Sequence, residues 1–211
     1  MHLAEIWRYP VKSMAGERLV EAELTREGVR GDRLVQVRAA GRLVTARSRP
    51  GLLGHRATLG GNGEPLVDGR PWTDATVAAD VERAAGTRAR LVRAAAVGER
   101  FDILPLLVAT DGAIASLGLD RRRFRPNLLI AGVEGRAERE WEGRRLRIGE
   151  AVVALADLRG RCVVTTFDPD TLAPDPRVLR TIVERFGGVL GLNAEVARPG
   201  FVRVGDPIEW L

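Results

Sequence analysis

The sequence predicts a mainly β fold with a few short helices, an α+β chain of 211 residues. Short stretches alternate apolar and polar residues with the period of two that is typical of strands. Glycine, proline and an Asp-Gly pair separate these stretches, and only a few segments have the spacing of an amphipathic helix. With 45% hydrophobic residues, the chain can bury a core.

The N-terminal half is expected to be a succession of strands. The first strand covers residues 3–9 and ends at Pro10, because proline cannot donate a hydrogen bond to a central ladder. Further strand patterns follow at 19–24, 34–37 and 43–46. A tight hairpin is predicted at Asp68-Gly69. A short helix then runs from about Thr76 to Ala85, with Asp74 as its N-cap and Gly86 at its end.

The C-terminal half has a similar pattern with one longer helix. Strands are predicted at 105–109 and 128–131, with a short helix after the first of them. A hairpin covers 141–156, and two closing strands lie at 191–196 and 201–207. Residues 175–186 have amphipathic helical spacing and are followed by Gly187. Residues 87–100 form the seam, so we place a domain of residues 1–88 before a domain of residues 89–211.

The charge composition makes a few residues stand out. There are 33 lysines and arginines against 28 acids, net charge +5, and every lysine or arginine except Lys12 is arginine. Serine and asparagine are also scarce. In so skewed a composition, the adjacent Lys12 and Ser13, the unique Cys162 and Asn127 are candidates for a site.

The expected location is the cytoplasm. No apolar run approaches the roughly 18 residues that a membrane helix needs, and the N-terminus lacks a basic segment followed by an apolar one. A single cysteine cannot form an internal disulfide, and a lone thiol is more common in a reducing compartment.

The segment around the cysteine is the strongest candidate for chemistry. Cys162 lies between Arg159 and Arg161 on one side and an apolar run with paired threonines on the other. Neighbouring guanidinium groups stabilise a thiolate, which is the form that attacks electrophiles or binds soft metals.

The densest cationic cluster is at residues 121–125 and precedes Pro126 and Asn127. Clustered arginines can neutralise phosphates, and Phe124 can stack on a base. A basic nucleic-acid-binding barrel without catalysis is therefore one hypothesis, although it rests on net charge and aromatic residues make up only 5% of the chain.

Five strings in the same order resemble motifs of the MOSC domain family, in the branch of the amidoxime-reducing components. They are Tyr-Pro-Val-Lys-Ser at 9–13, Val-Thr-Ala-Arg at 44–47, Phe-Arg-Pro-Asn at 124–127, Arg-Cys followed by Thr-Thr and Asp-Pro-Asp-Thr at 161–171, and Val-Arg-Val-Gly-Asp-Pro at 202–207. The resemblance implies a MOSC-type β-barrel preceded by a smaller N-terminal β-barrel-like domain.

The resemblance also implies a molybdenum cofactor with a pterin dithiolene. Cys162 would be the protein thiolate on the metal and would act in catalysis. Asp168 would orient the loop or relay a proton, although an Asp before proline often only builds a turn. Thr110 either presents donors at a helix N-terminus or caps that helix. The residues expected to hold the cofactor are Lys12, Ser13, Arg33, Arg47, Thr110, Arg125, Asn127, Arg161 and Asn193.

The reaction implied by the resemblance is the two-electron reduction of a small N-hydroxylated compound. No flavin motif or iron–sulfur cysteine set is present in this chain, so electrons are expected from a separate protein such as a ferredoxin or a cytochrome or flavin reductase. A second hypothesis is that Cys162 carries a persulfide for cofactor or metal-cluster assembly. Pyridoxal phosphate belongs to the family only through a fused desulfurase domain, and no such domain is present here.

Overall fold

A computed structural model describes residues 1–211 and confirms the mainly β class. Strands account for 39% of the residues and helical segments for 23%. The strands are β1 (His2–Arg8), β2 (Glu17–Leu19), β3 (Glu21–Thr25), β4 (Gly28–Val29), β5 (Val35–Ala39), β6 (Arg42–Val44), β7 (Ala57–Leu59), β8 (Pro65–Val67), β9 (Arg70–Pro71), β10 (Arg90–Arg93), β11 (Leu106–Thr110), β12 (Leu128–Ala131), β13 (Arg145–Ile148), β14 (Ala151–Gly160), β15 (Val189–Arg198), β16 (Gly200–Arg203) and β17 (Ile208–Trp210).

Helices are few and mostly short. The α-helices are α1 (Ala75–Ala85), α2 (Val97–Arg100), α3 (Asp111–Ala115) and α4 (Pro176–Phe186), and 3-10 turns lie at Pro50–Gly54, Arg121–Phe124, Ala137–Glu140 and Val163–Thr166. None of the helices is long and apolar enough to cross a lipid bilayer.

The largest element is an eight-stranded sheet in the order β17-β13-β14-β15-β11-β12-β1-β2, which curls into a half-barrel. Neighbouring strands are antiparallel except for β11 and β12. Its apolar side chains form a core of 21 buried residues together with those of β3, β4 and β16. The first strand of the chain thus lies inside a sheet built mostly from the C-terminal half.

Two three-stranded sheets make up the smaller N-terminal part, in the orders β10-β5-β6 and β7-β8-β9. Helix α1 buries Val77 and Val81 against them in a second core of 11 residues. Strand β10 begins two residues after the domain boundary that we placed between residues 88 and 89, and it pairs with β5. The boundary itself stays a prediction.

Both of the longer predicted helices are confirmed, with the N-cap indicated for α1 and the glycine indicated at the end of each. The Asp74 side chain accepts a hydrogen bond from Thr76 N, and Gly86 ends α1 in the left-handed conformation. Asp175 caps α4, which buries Val178 and Ile182. Capping satisfies backbone groups that would otherwise lack a partner at each helix end.

Three features differ from the predicted strands. The segment 19–24 is divided into β2 and β3 at the exposed Val20, because β2 pairs with β1 whereas β3 pairs with β16. Strand β14 continues to Gly160, beyond the predicted end at residue 156, because it pairs with the long β15 along most of its length. Strand β17, the outer neighbour of β13, was not predicted.

Candidate functional site

One pocket brings together most of the site residues predicted from the sequence. Residues from the N-terminal half and from β14, β15 and the segment before β12 all line it. The predicted residues in its lining are Lys12, Ser13, Arg33, Arg47, Arg125, Asn127, Arg161, Cys162 and Asn193. We refer to it as the cysteine pocket.

The lysine, serine and cysteine of the cysteine pocket lie in loops that directly follow strands. Lys12 and Ser13 follow the end of β1, and Cys162 comes two residues after the end of β14. Cys162 is half-buried. Its carbonyl accepts hydrogen bonds from Thr165 N (3.0 Å) and Thr165 Oγ1 (2.8 Å), so the paired threonines fold the chain into a 3-10 turn directly after the thiol.

The lining of the cysteine pocket is strongly cationic. One carboxylate, Asp102, accompanies the six cations Lys12, Arg33, Arg47, Arg125, Arg159 and Arg161. Asp102 lies 2.9 Å from Lys12 Nζ, 2.9 Å from an Arg47 nitrogen and 3.5 Å from an Arg159 nitrogen. Burial alone would raise the pKa of Asp102, but these cations outweigh it and hold the pKa below its ordinary value.

Arg161 carries a donor without a partner. Its Nη2 donates to the carbonyl of Phe124 at 2.7 Å, but Nε is fully enclosed and has no acceptor. Burial and the neighbouring charge of Arg159 lower the pKa of Arg161 to about 10. An enclosed, unpaired guanidinium nitrogen is costly unless an acceptor approaches it. The pocket is therefore suited to an anion.

Arg159 is held towards the pocket by the opposite strand. Its Nη1 donates to Asn193 Oδ1 on β15 at 3.1 Å, and Asn193 Nδ2 donates to Asp157 at 3.1 Å. Burial lowers the pKa of Arg159, an effect that Asp102 partly offsets. The predicted residue Asn193 thus orients a cation as well as lining the pocket.

Asn127 is fully engaged inside the protein. Its amide donates to Trp7 O (3.2 Å) and Asp32 Oδ2 (3.1 Å), and its oxygen accepts from Leu107 N (3.2 Å). Asp32 is completely buried and also pairs with Arg33. Asn127 therefore supports the wall of the pocket that carries Arg33.

Two of the pocket arginines lie against the same aromatic ring. The guanidinium carbon of Arg125 is 4.3 Å from the centre of the Tyr9 ring, and that of Arg33 is 5.3 Å from it. Burial raises the pKa of Tyr9, and its hydroxyl donates to Pro126 O. The contacts fix both guanidinium groups without neutralising them.

Ser13, Arg33 and Arg125 share a strained backbone. Their φ angles are 73°, 50° and 53°, a left-handed conformation that costs a non-glycine residue roughly 1–2 kcal/mol. Only three other non-glycine residues in the chain have positive φ. Such strain concentrates where a structure must hold side chains in set positions, and no sequence pattern indicated it.

Two predicted residues lie outside the cysteine pocket. Thr110 caps α3 by accepting from Ala113 N, and its hydroxyl donates to the buried Glu138. Asp168 accepts from Asp170 N, Thr171 N and Thr171 Oγ1 through one oxygen and from Arg123 through the other. Thr110 thus caps a helix and Asp168 builds a turn. The sequence had left these roles open as alternatives to cofactor binding by Thr110 and to proton relay by Asp168.

The cationic cluster at 121–123 is neutralised within the chain. Arg121 pairs with Glu5 at 2.6 Å, Arg122 pairs with Asp120 and Asp170, and Arg123 pairs with Asp168 at 2.9 Å. Arg123 also donates to Thr166 O at 3.0 Å and so holds the turn after Cys162. Since these guanidinium groups already have carboxylate partners, the cluster offers little free charge to a nucleic acid.

The sequence reasoning missed Asp102 and Asp32. Asp102 follows a short helix in a loop with no recognisable motif, and Asp32 lies in a glycine-rich corner directly before Arg33. The one sequence feature that could have indicated Asp32 is its position next to the predicted site residue Arg33. Neither long-range contact, to Lys12 or to Asn127, can be inferred from local sequence.

Two family models match consecutive parts of the chain. The MOSC N-terminal beta barrel domain matches residues 1–101, and the MOSC domain matches residues 107–209. Mitochondrial amidoxime-reducing component 1 of Homo sapiens is 26% identical over 99% of this chain and 82% of its own length. Mitochondrial amidoxime reducing component 2 of Homo sapiens is 26% identical over 98% and 82%. The crystal structure of the YuaD protein from Bacillus subtilis has a similar fold, with a TM-score of 0.53 and 14% identity over 98% of this chain and 92% of that one.

Proposed function

This chain belongs to the MOSC domain family, and on that basis we propose that it is a molybdenum-cofactor-dependent oxidoreductase that reduces small N-hydroxylated compounds. The names of the amidoxime-reducing relatives support the reaction class. The reaction consumes two electrons and two protons, breaks the N–O bond and releases water.

One observation carries the proposal: the half-buried thiol of Cys162 adjoins Arg161, whose enclosed Nε has no acceptor, in a pocket with six cations and one carboxylate. A thiol is a suitable ligand for a soft metal, and the surplus of cations suits an anionic cofactor. The donor set therefore fits a group that joins a metal centre to a phosphate.

The residues divide by the part of the cofactor that they would hold. Lys12 and Arg47 meet at Asp102, which keeps both cations in place for a phosphate. The Ser13 oxygen accepts from Ala46 N at 3.0 Å, so its hydroxyl hydrogen is available to donate. Arg125, fixed on the Tyr9 ring, presents a planar set of donors to the flat pterin.

The cysteine pocket has a volume of about 120 Å³, less than the roughly 300–1,000 Å³ of typical small-molecule sites. Only part of a pterin cofactor would therefore be enclosed, and the rest would extend into the open mouth. When bound, the cofactor would supply the redox chemistry. Arg159 and Arg161 would then stabilise negative charge close to Cys162.

Electrons would come from a separate protein. A single cysteine cannot hold an iron–sulfur cluster, which needs several thiolates. The small substrate and the electron donor would thus both reach the cofactor from solvent, in agreement with a site at the surface between the two halves of the chain.

The proposal is tested with protein produced in a molybdenum-replete host. We expect about one molybdenum and one pterin per chain, and reduction of an amidoxime when reduced methyl viologen supplies the electrons. Protein that contains neither molybdenum nor pterin after such production would refute the proposal. A gain of one sulfur atom on Cys162 after treatment with a polysulfide, which transfers a sulfane sulfur to the thiolate and leaves as a polysulfide shortened by one sulfur, would instead favour the sulfur-carrier hypothesis if no molybdenum is bound.

A further inference from the structure

A second cavity adjoins the cysteine pocket. Arg125 and Val164 line both cavities. The second one has a volume of about 420 Å³, within the range of roughly 300–1,000 Å³ that small-molecule sites occupy. None of the cofactor-binding residues proposed above lines it except Arg125, so it requires its own explanation.

Aromatic rings form part of its wall. Trp7, Tyr9 and Phe167 line the cavity. The rings of Trp7 and Tyr9 are stacked, with centroids 6.4 Å apart and planes inclined by 14°. Tyr9 is only 3% exposed and has Arg125 against its ring, so the rings open to the cavity are those of the half-buried Trp7 and Phe167, which suit an aromatic ligand.

The cavity also carries three guanidinium groups that have no carboxylate partner or only a distant one. The Arg56 side chain makes no hydrogen bond or ion pair, since only its backbone is bonded, to Asp68. Arg125 has no carboxylate partner and lies only against the Tyr9 ring. Arg18 is 3.8 Å from Glu5, a carboxylate that Arg121 approaches more closely, at 2.6 Å.

The one carboxylate in the lining is already engaged. Asp170 accepts two hydrogen bonds from Arg122, at 2.8 and 2.7 Å. It therefore leaves the charges of Arg56 and Arg125 uncompensated, and Arg18 has only its 3.8 Å contact with Glu5. Guanidinium groups without a close counter-charge are the usual recognition element for carboxylate and phosphate.

We propose that this second cavity is a binding site for a small aromatic anion, with the ring against Trp7 and Phe167 and the carboxylate or phosphate at Arg18, Arg56 and Arg125. The site does not depend on the reaction proposed at Cys162. Arg125 would then contact both the cofactor in the cysteine pocket and the aromatic anion in the second cavity.

Binding is measured by calorimetry with purified protein and four probes: phenyl phosphate, benzoate, inorganic phosphate and benzyl alcohol. We expect phenyl phosphate or benzoate to bind at least about tenfold more tightly than both inorganic phosphate and benzyl alcohol, because the ring and the charge each contribute. The tighter of the two aromatic anions identifies the anionic group. Equal affinity for inorganic phosphate or for benzyl alcohol would overturn the proposal.

Variants locate the binding site. Arg18 and Arg56 are exposed and line only the second cavity, so the double variant Arg18→Gln/Arg56→Gln should fold and bind the aromatic anion about tenfold more weakly or worse. The matched control Arg88→Gln/Arg180→Gln removes two exposed arginines elsewhere and should bind within about twofold of the original protein. Binding that persists in the first variant but is lost in Arg47→Gln would place the anion in the cysteine pocket and overturn the proposal.

Discussion

The side-chain amide of Asn127 donates a 3.1 Å hydrogen bond to the buried carboxylate of Asp32, although the two residues are 95 positions apart. Asp32 also accepts from Tyr9 N and pairs with Arg33. The bond therefore ties the start of β12 to the corner that presents Arg33 to the cysteine pocket. One asparagine thus aligns groups from both halves of the chain.

Replacing Asn127 by alanine should destabilise the protein. The change removes three hydrogen bonds and leaves Asp32 without one of its buried donors, so we expect the free energy of unfolding to fall by about 2–4 kcal/mol. Denaturant titration measures it. The control Asn62→Ala, in an exposed loop, should change it by about 0.5 kcal/mol or less. Similar losses in the two variants would show that the buried network contributes little.

Replacing Cys162 by alanine should leave the fold intact and abolish the proposed activity. The side chain is small, half-buried and makes no side-chain hydrogen bond, so the free energy of unfolding should change by about 1 kcal/mol or less. Molybdenum content and amidoxime turnover should both be lost, since the proposed metal ligand is missing. A variant that retains turnover would remove this thiol from the mechanism.

Replacing Arg161 by methionine should separate stability from binding. The enclosed Nε is unsatisfied, so the free energy of unfolding of cofactor-free protein should stay the same or rise by about 1 kcal/mol. Pterin and molybdenum content should fall, because an anion would lose its donor. The control Arg88→Met, on the surface, should keep both contents. A clear loss of stability would instead assign Arg161 a structural role, through its bond to Phe124 O.

Stability should depend on pH through Glu138. Burial raises the pKa of its carboxyl above the ordinary 4.5, against the hydrogen bonds from Thr110 and Gly191. A raised folded-state pKa means that stability is fully present below the unfolded pKa and is lost as the pH rises through the folded pKa. The isosteric Glu138→Gln should therefore gain free energy of unfolding relative to the original protein as the pH rises from 4 to 8. Denaturant titration at several pH values checks this, and a difference that is independent of pH would contradict it.

Local sequence patterns predicted most of the strands and both long helices. Mixed apolar and polar spacing predicted β1, and an apolar run predicted β12. The left-handed pair Asp68 and Gly69 forms the predicted turn between β8 and β9. Nine of the predicted residues line one pocket, and seven of them lie in the ordered strings. The strands, helices and turn depend on residues that are neighbours in sequence, and the pocket residues could be predicted because most of them lie in recognisable motifs.

Contacts between distant segments could not be predicted. The arginines at 121–123 looked like free charge because their carboxylate partners lie elsewhere in the chain, in particular at Glu5, Asp168 and Asp170. Asp102 lacked any motif, yet it meets Lys12 from 90 positions away. Which opposite charges meet is decided by sheet topology, and that order is not encoded in local periodicity.

The exchange of strands between the halves limits how such chains can be recombined. Strand β1 fills a place next to β12, and β16 completes the small sheet with β3 and β4. A gene cut near residue 101 would leave one fragment with orphaned β1 and the other with an open edge beside β12, and exposed edges of this kind promote aggregation. A chimaera of two relatives should therefore remain soluble only when its first 25 residues and its C-terminal segment come from the same parent. Expression of chimaeras that do and do not meet this condition would test it.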